Sequence, residues 1–93
     1  MESFLVRVEL HGAADDDYEA LHVQMAVFGF WRTITDTKGV TYELPPATYW
    51  GQSQYGTSRV VDFAHAACSI VGRRASIVAS LTADTWFNGL KRV

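Results

Sequence analysis

Residues 3–11, Ser-Phe-Leu-Val-Arg-Val-Glu-Leu-His, alternate with a period of two along the whole stretch. Phe4, Val6, Val8 and Leu10 fall on one side of an extended chain. Leu5, Arg7, Glu9 and His11 fall on the other. A helix would scatter these residues around its axis, whereas a strand sorts them into an apolar and a largely polar face. Such a strand needs a layer packed on its apolar side, so this pattern commits the chain to a sheet with one covered face. Gly12 ends the run.

Two amphipathic helices can supply that layer. Asp15-Asp16-Asp17 suits the positive end of a helix dipole, and Asp16 with Glu19 has capping-box spacing. Tyr18, Leu21, Met25 and Phe28 then recur at three-and-four spacing, which predicts a helix over about 15–28 that stops at Gly29. Ser58 is positioned to cap a second helix over about 59–71. Its apolar face holds Val60, Ala64, Ala67 and Val71, widened by Phe63 and Cys68, and Gly72 ends it.

Three further strands are expected. Residues 30–36 and 40–44 flank Asp36-Thr37-Lys38-Gly39, a tight hairpin turn with glycine last. Val40, Tyr42 and Leu44 are expected inward, with Thr41 and Glu43 outward. An inward Ile34 puts Arg32 on the same side unless a bulge intervenes. Pro45-Pro46 ends the hairpin and opens the longest irregular stretch, 45–57. The last strand covers 74–82. The tail carries Trp86, Phe87 and an Asn88-Gly89 turn signal that can lead into a short edge strand.

This order predicts a single α+β domain over residues 1–93 with a ferredoxin-like β-α-β-β-α-β arrangement. The antiparallel sheet has two helices on one face and its first and third strands in the middle. With 40–44 as the third strand, the open face would show Arg7, Glu9, His11, Thr41, Glu43, Ser76 and Ser80, and Arg7 could pair with Glu43 or Glu9. The alternative is a three-stranded sheet whose fourth strand is swapped into a dimer.

Composition narrows the function. A net charge of −2 and arginines that never run beyond the pair Arg73-Arg74 exclude binding to nucleic acid by bulk attraction. An RNA role must use local arginines and stacking. The single cysteine, Cys68, forms no internal disulfide and reads as a core residue of a protein in a reducing compartment. The start Met1-Glu2-Ser3 enters a strand pattern at once, without the features of a secretory signal. No apolar run approaches the roughly 18 to 20 residues of a membrane span. The cytoplasm is therefore expected. There is no zinc-type cluster, no calcium loop around Asp15-Asp16-Asp17 and no cofactor fingerprint, so neither metal nor cofactor is expected.

Metal-free RNA cleavage requires a base for the 2′-hydroxyl, an acid for the leaving oxygen and a cation for the phosphate. His11, Glu9 and Arg7 supply groups of these kinds at two-residue spacing on one strand face, although a solvated face often carries the same residues. Arg32 is a second phosphate candidate, with a strand-edge salt bridge as its structural alternative. Tyr49, Trp50 and Tyr55 can stack on unpaired bases, or pack beneath their loop or in a dimer interface. His22 lies on the flank of the first helix's stripe, and His65 lies away from the second helix's core face.

The order of elements, from Phe4 to about Phe63, resembles the GhoS family of antitoxin endoribonucleases of type V toxin–antitoxin systems. That fold is in turn similar to the CRISPR spacer-acquisition nuclease. The matching features are the strand Phe4-Leu5-Val6-Arg7-Val8-Glu9 ending in an acid, then Phe30, Asp36 and Gly39 in the hairpin, Leu44, the aromatic Tyr49 and the helix cap Ser58. The chain departs from the family in the acidic start of its first helix, and His22 stands where the family has an arginine. The resemblance implies cytoplasmic cleavage of a toxin transcript, with His22 at a position that contacts single-stranded RNA. The competing reading is a non-enzymatic, dimeric ferredoxin-like module that binds a protein or a small molecule.

Overall fold

The computed structural model describes residues 1–93. Strand β1 (Glu2–Leu10) carries the alternation through intact. Phe4, Val6, Val8 and Leu10 are buried, while Arg7 and Glu9 are exposed. Helix α1 (Asp15–Val27) and helix α2 (Thr57–Val71) both pack on the buried side, where Leu21, Met25, Val60, Ala64, Ala67 and Cys68 join the β1 residues in one core. Burying a side chain such as Phe4 contributes about 1.5–3 kcal/mol against solvent exposure, so this seam dominates the stability of the domain.

The helix ends differ from expectation in detail. The Asp17 carboxylate accepts the Ala14 N–H at 3.0 Å, so the reach-back contact comes from Asp17 rather than from the Asp16/Glu19 pair. Asp17 also holds Arg73 in the chain's one ion pair, at 3.0 Å, which ties the start of α1 to the end of α2. Helix α2 begins two residues early. Gly56 occupies its N-cap position and Ser58 lies within its first turn. Gly72 closes α2 with φ of 87°, a left-handed conformation suited to glycine, and its N–H reaches the carbonyls of Cys68 and Ser69.

The sheet is antiparallel and four-stranded in the order β2-β5-β1-β6, with β2 (Phe30–Trp31), β5 (Thr48–Ser53) and β6 (Ala75–Thr82). The partner of β1 is therefore 48–53, within the stretch read from sequence as irregular, and not 40–44. Arg7 lies opposite Thr48 rather than Glu43. Strands β3 (Thr33–Thr35) and β4 (Thr41–Glu43) form a separate hairpin, so Thr41 and Glu43 do not extend the open face beside Arg7. The chain breaks from β2 to β3 at Arg32, and Ile34 is buried outside the core that the helices cover, on the side hairpin, rather than turned inward as expected. At the hairpin tip, Asp36 Oδ1 accepts the N–H groups of Lys38 and Val40, each at 2.9 Å, and Gly39 takes φ of 82°. The tail adds to this hairpin: Arg92 bridges Tyr42, and Phe87 meets the Tyr42 ring edge-on with centroids 5.1 Å apart. The last long strand, β6, pairs with β1 of its own chain, which removes the swapped-strand alternative.

Gly51 explains why β5 has so weak a sequence signal. Phe30 lies opposite it, and a Cβ at Gly51 would stand 2.4 Å from the Gly29 carbonyl oxygen and 2.6 Å from the Phe30 ring. The missing side chain gives Phe30 its place in the core, at the cost of the apolar alternation that marks a strand.

Candidate functional site

The face away from the helices carries an ordered set of side chains. Register places Trp31, Trp50, Leu5 and Ser80 side by side across β2, β5, β1 and β6. The next positions along the strands are Thr48, Arg7 and Val78, followed by Glu9 beside Ser76. Directly paired residues of antiparallel strands point to the same side, so these groups share one surface. Trp31 is 54% exposed, and Arg7, Glu9 and His11 are all exposed.

Arg7, Glu9 and His11 thus share one face, with successive Cα atoms roughly 7 Å apart as strand geometry requires. Arg7 belongs to no ion pair, contrary to the expected bond to Glu43 or Glu9. The His11 ring is held from one side, with Nε2 2.8 Å from Ser76 Oγ on β6.

His22, Arg32 and Tyr49 come together elsewhere, on the helix-covered side at the β2 end of the sheet. Tyr49 is fully buried, which corrects its reading as a base-stacking residue. Its hydroxyl lies 2.7 Å from His22 Nδ1. Burial, chiefly, pushes the Tyr49 phenol well above its usual pKa, so it stays protonated. Burial first and the Arg32 guanidinium second push the His22 pKa below its usual value, against a smaller pull from Glu19. The contact therefore joins a protonated phenol to an imidazole whose charged form is disfavoured. Arg32 makes no salt bridge, so the strand-edge ion pair is also absent.

Tyr55 does not reach the open face. It packs edge-on against Phe63 of α2, and the Arg59 guanidinium lies 5.1 Å above its ring. Trp50 is the aromatic of the irregular stretch that does face outward, half-buried in a cleft.

That cleft, of about 580 Å³, lies where the β3–β4 hairpin and the tail approach one end of the open face. Trp50, Ser3 and Thr82 come from the sheet, Ile34 and Tyr42 from the hairpin, and Phe87 from the tail. Trp86, 92% exposed, lies at its rim. Its volume is in the range of small-ligand sites. Sequence reasoning missed the cleft because distant segments form it. Trp31 was missed as well, although the signal was present: with Phe30 inward, period-two alternation turns Trp31 outward.

No helix is long and apolar enough to cross a membrane. The chain matches no protein-family model and no curated protein sequence. What it does must therefore be argued from this surface.

Proposed function

We propose that this protein binds single-stranded RNA on the open face of a ferredoxin-like sheet and cleaves it there without a metal ion, in the manner of a cytoplasmic GhoS-type antitoxin endoribonuclease. The observation supporting this is the shared surface of Trp31, Trp50 and Leu5 with Arg7, Glu9 and His11. Aromatic rings on the open face of a sheet, here Trp50 on the inner strand β5 and Trp31 on the edge strand β2, accept unstacked bases, and each stacked base is worth about 1–3 kcal/mol. Such binding suits a chain with net charge −2, because it does not depend on bulk attraction.

The cleavage chemistry follows from the order of the trio. Arg7 binds a phosphate oxygen and offsets the charge that grows on it. The Glu9 carboxylate takes the proton of the adjacent 2′-hydroxyl, whose oxygen attacks phosphorus. The protonated His11 imidazole delivers its proton to the departing 5′-oxygen, which takes the place of Ser76 at Nε2. The products are a 2′,3′-cyclic phosphate and a free 5′-hydroxyl.

Purified protein incubated with a pool of single-stranded RNA in the presence of chelator tests this. Cleavage that falls by about 10²-fold or more in both His11→Ala and Glu9→Gln supports the assignment. Cleavage untouched by either change refutes these roles.

A second reading draws on the cleft, which does not include Arg7, Glu9 or His11. In that reading the domain is a non-enzymatic module that holds a small planar molecule against Trp50. RNA that neither binds nor is cleaved, together with a ligand that quenches Trp50, would favour it.

A further inference from the structure

The two edges of the sheet differ in how they are protected. On one side β2 is only two residues long, and the chain breaks away at Arg32. Short edge strands resist pairing with other chains. On the other side β6 runs for eight residues, Ala-Ser-Ile-Val-Ala-Ser-Leu-Thr, with no charge and no proline. It is paired with β1 residue for residue from Ser3↔Thr82 to Leu10↔Ala75, without a bulge. No strand lies on its outer side. Val78 is 64% exposed and Leu81 53% exposed.

The direction of the unpaired backbone groups follows from the ladder. The His11 N–H donates to the Arg74 carbonyl at 2.8 Å, so even-numbered residues of this segment direct their backbone groups toward β1. Ala75, Ile77, Ala79 and Leu81 direct theirs away from the sheet.

We infer that β6 is a homodimer edge, and that two copies of this chain join it antiparallel about a two-fold axis at Ala79 to make one eight-stranded sheet. Only a register pairing odd residues with odd residues lets the outward N–H and C=O groups meet while keeping the helices of both copies on one side. With Ala79 opposite Ala79, Ile77 of each copy lies opposite Leu81 of the other, and Val78 opposite Ser80. The charges favour the same register. Each strand is itself uncharged, so no like charges meet along it. The same register, continued past the strand end at Thr82, brings Arg74, which has no ion pair, toward the segment of the other copy that carries Asp84, two residues beyond its strand, and this happens twice by symmetry. The pairing consumes the edge and leaves Arg7, Glu9 and His11 uncovered, so it stands independently of the RNA reading.

Sedimentation velocity across a concentration series tests the inference in the full chain. The expected result is a monomer–dimer equilibrium that Ala79→Pro abolishes, since proline removes an outward N–H and not one bonded to β1. Arg74→Glu is expected to weaken the dimer roughly tenfold, and adding Asp84→Arg to restore it. Should Ala79→Pro fail to fold, amide exchange of the unaltered protein replaces it: the Ile77, Ala79 and Leu81 amides slow as concentration rises. A monomer at the highest soluble concentration overturns the inference. So does a dimer in which these amides exchange freely or which persists in folded Ala79→Pro.

Discussion

The Tyr49 hydroxyl and His22 Nδ1, 2.7 Å apart, join the inner strand β5 to helix α1 through one hydrogen bond at the margin of the core. Replacing Tyr49 with Phe keeps the ring and removes the bond. The expected loss is about 1 kcal/mol, the ordinary net worth of such a contact, read from chemical denaturation. His22 is only half-buried, so water can reach it in the variant and the loss stays small.

The same pair gives stability a pH dependence with a definite sign. His22 is held below its ordinary pKa in the folded protein, mainly by burial and then by Arg32. Above the unfolded value, near pH 6.5, the imidazole is neutral in both states and the full stability is present. As pH falls through that value the unfolded chain takes up the proton first, and stability declines until the folded pKa is passed. The urea midpoint should therefore drop on acidification below about pH 6.5, and less steeply in His22→Gln. Equal slopes in parent and variant would assign the effect to other groups.

Gly51→Ala should be strongly destabilising, because its methyl group meets the Gly29 backbone and the Phe30 ring. A loss of about 1–3 kcal/mol is expected, visible as a lower Tm. Gly51→Ala combined with Phe30→Leu should not restore the parent Tm, since the Gly29 carbonyl oxygen, 2.4 Å from the new Cβ, is backbone and stays in place.

The placement of Gly51 also shows where the sequence was legible. Strands β1 and β6 and both helices announce themselves, because each carries its own periodic apolar face against the core. Two alternations fix which residues of β1 and β6 share a face but leave shifts by two residues open, so their register is known only from the structure. Strand β5 could not be read in this way. Its helix-facing positions are Tyr49, Gly51 and Ser53, of which only the tyrosine is a large apolar group. Its start follows Pro45-Pro46 and Ala47, the latter in a left-handed conformation at φ of 61°. Val40, Tyr42 and Leu44 were expected inward and Thr41 and Glu43 outward, but all five are half-buried in a side hairpin, where Tyr42 meets Phe87. Arg7, Glu9 and His11 were legible as one face, whereas the cleft around Trp50 depends on contacts between distant segments.

Phe87→Ala should loosen the tail without unfolding the main sheet. It removes an edge-to-face contact with Tyr42, worth about 0.5–1.5 kcal/mol. The Glu43 and Val93 amides, which donate to the carbonyls of Lys91 and Thr41, should then exchange faster with solvent. Amides of β1 should keep their protection. Equal acceleration in β1 would mean that the tail supports the whole domain.

Titrating the protein with a short single-stranded RNA, while following backbone and indole N–H resonances, tests the open-face account most directly. The account predicts saturable shifts at Trp31, Trp50, Leu5 and Arg7, with affinity falling about tenfold or more in Trp31→Ala and in Trp50→Ala. Shifts confined to the helices, or none at concentrations that saturate other single-strand binders, would contradict it.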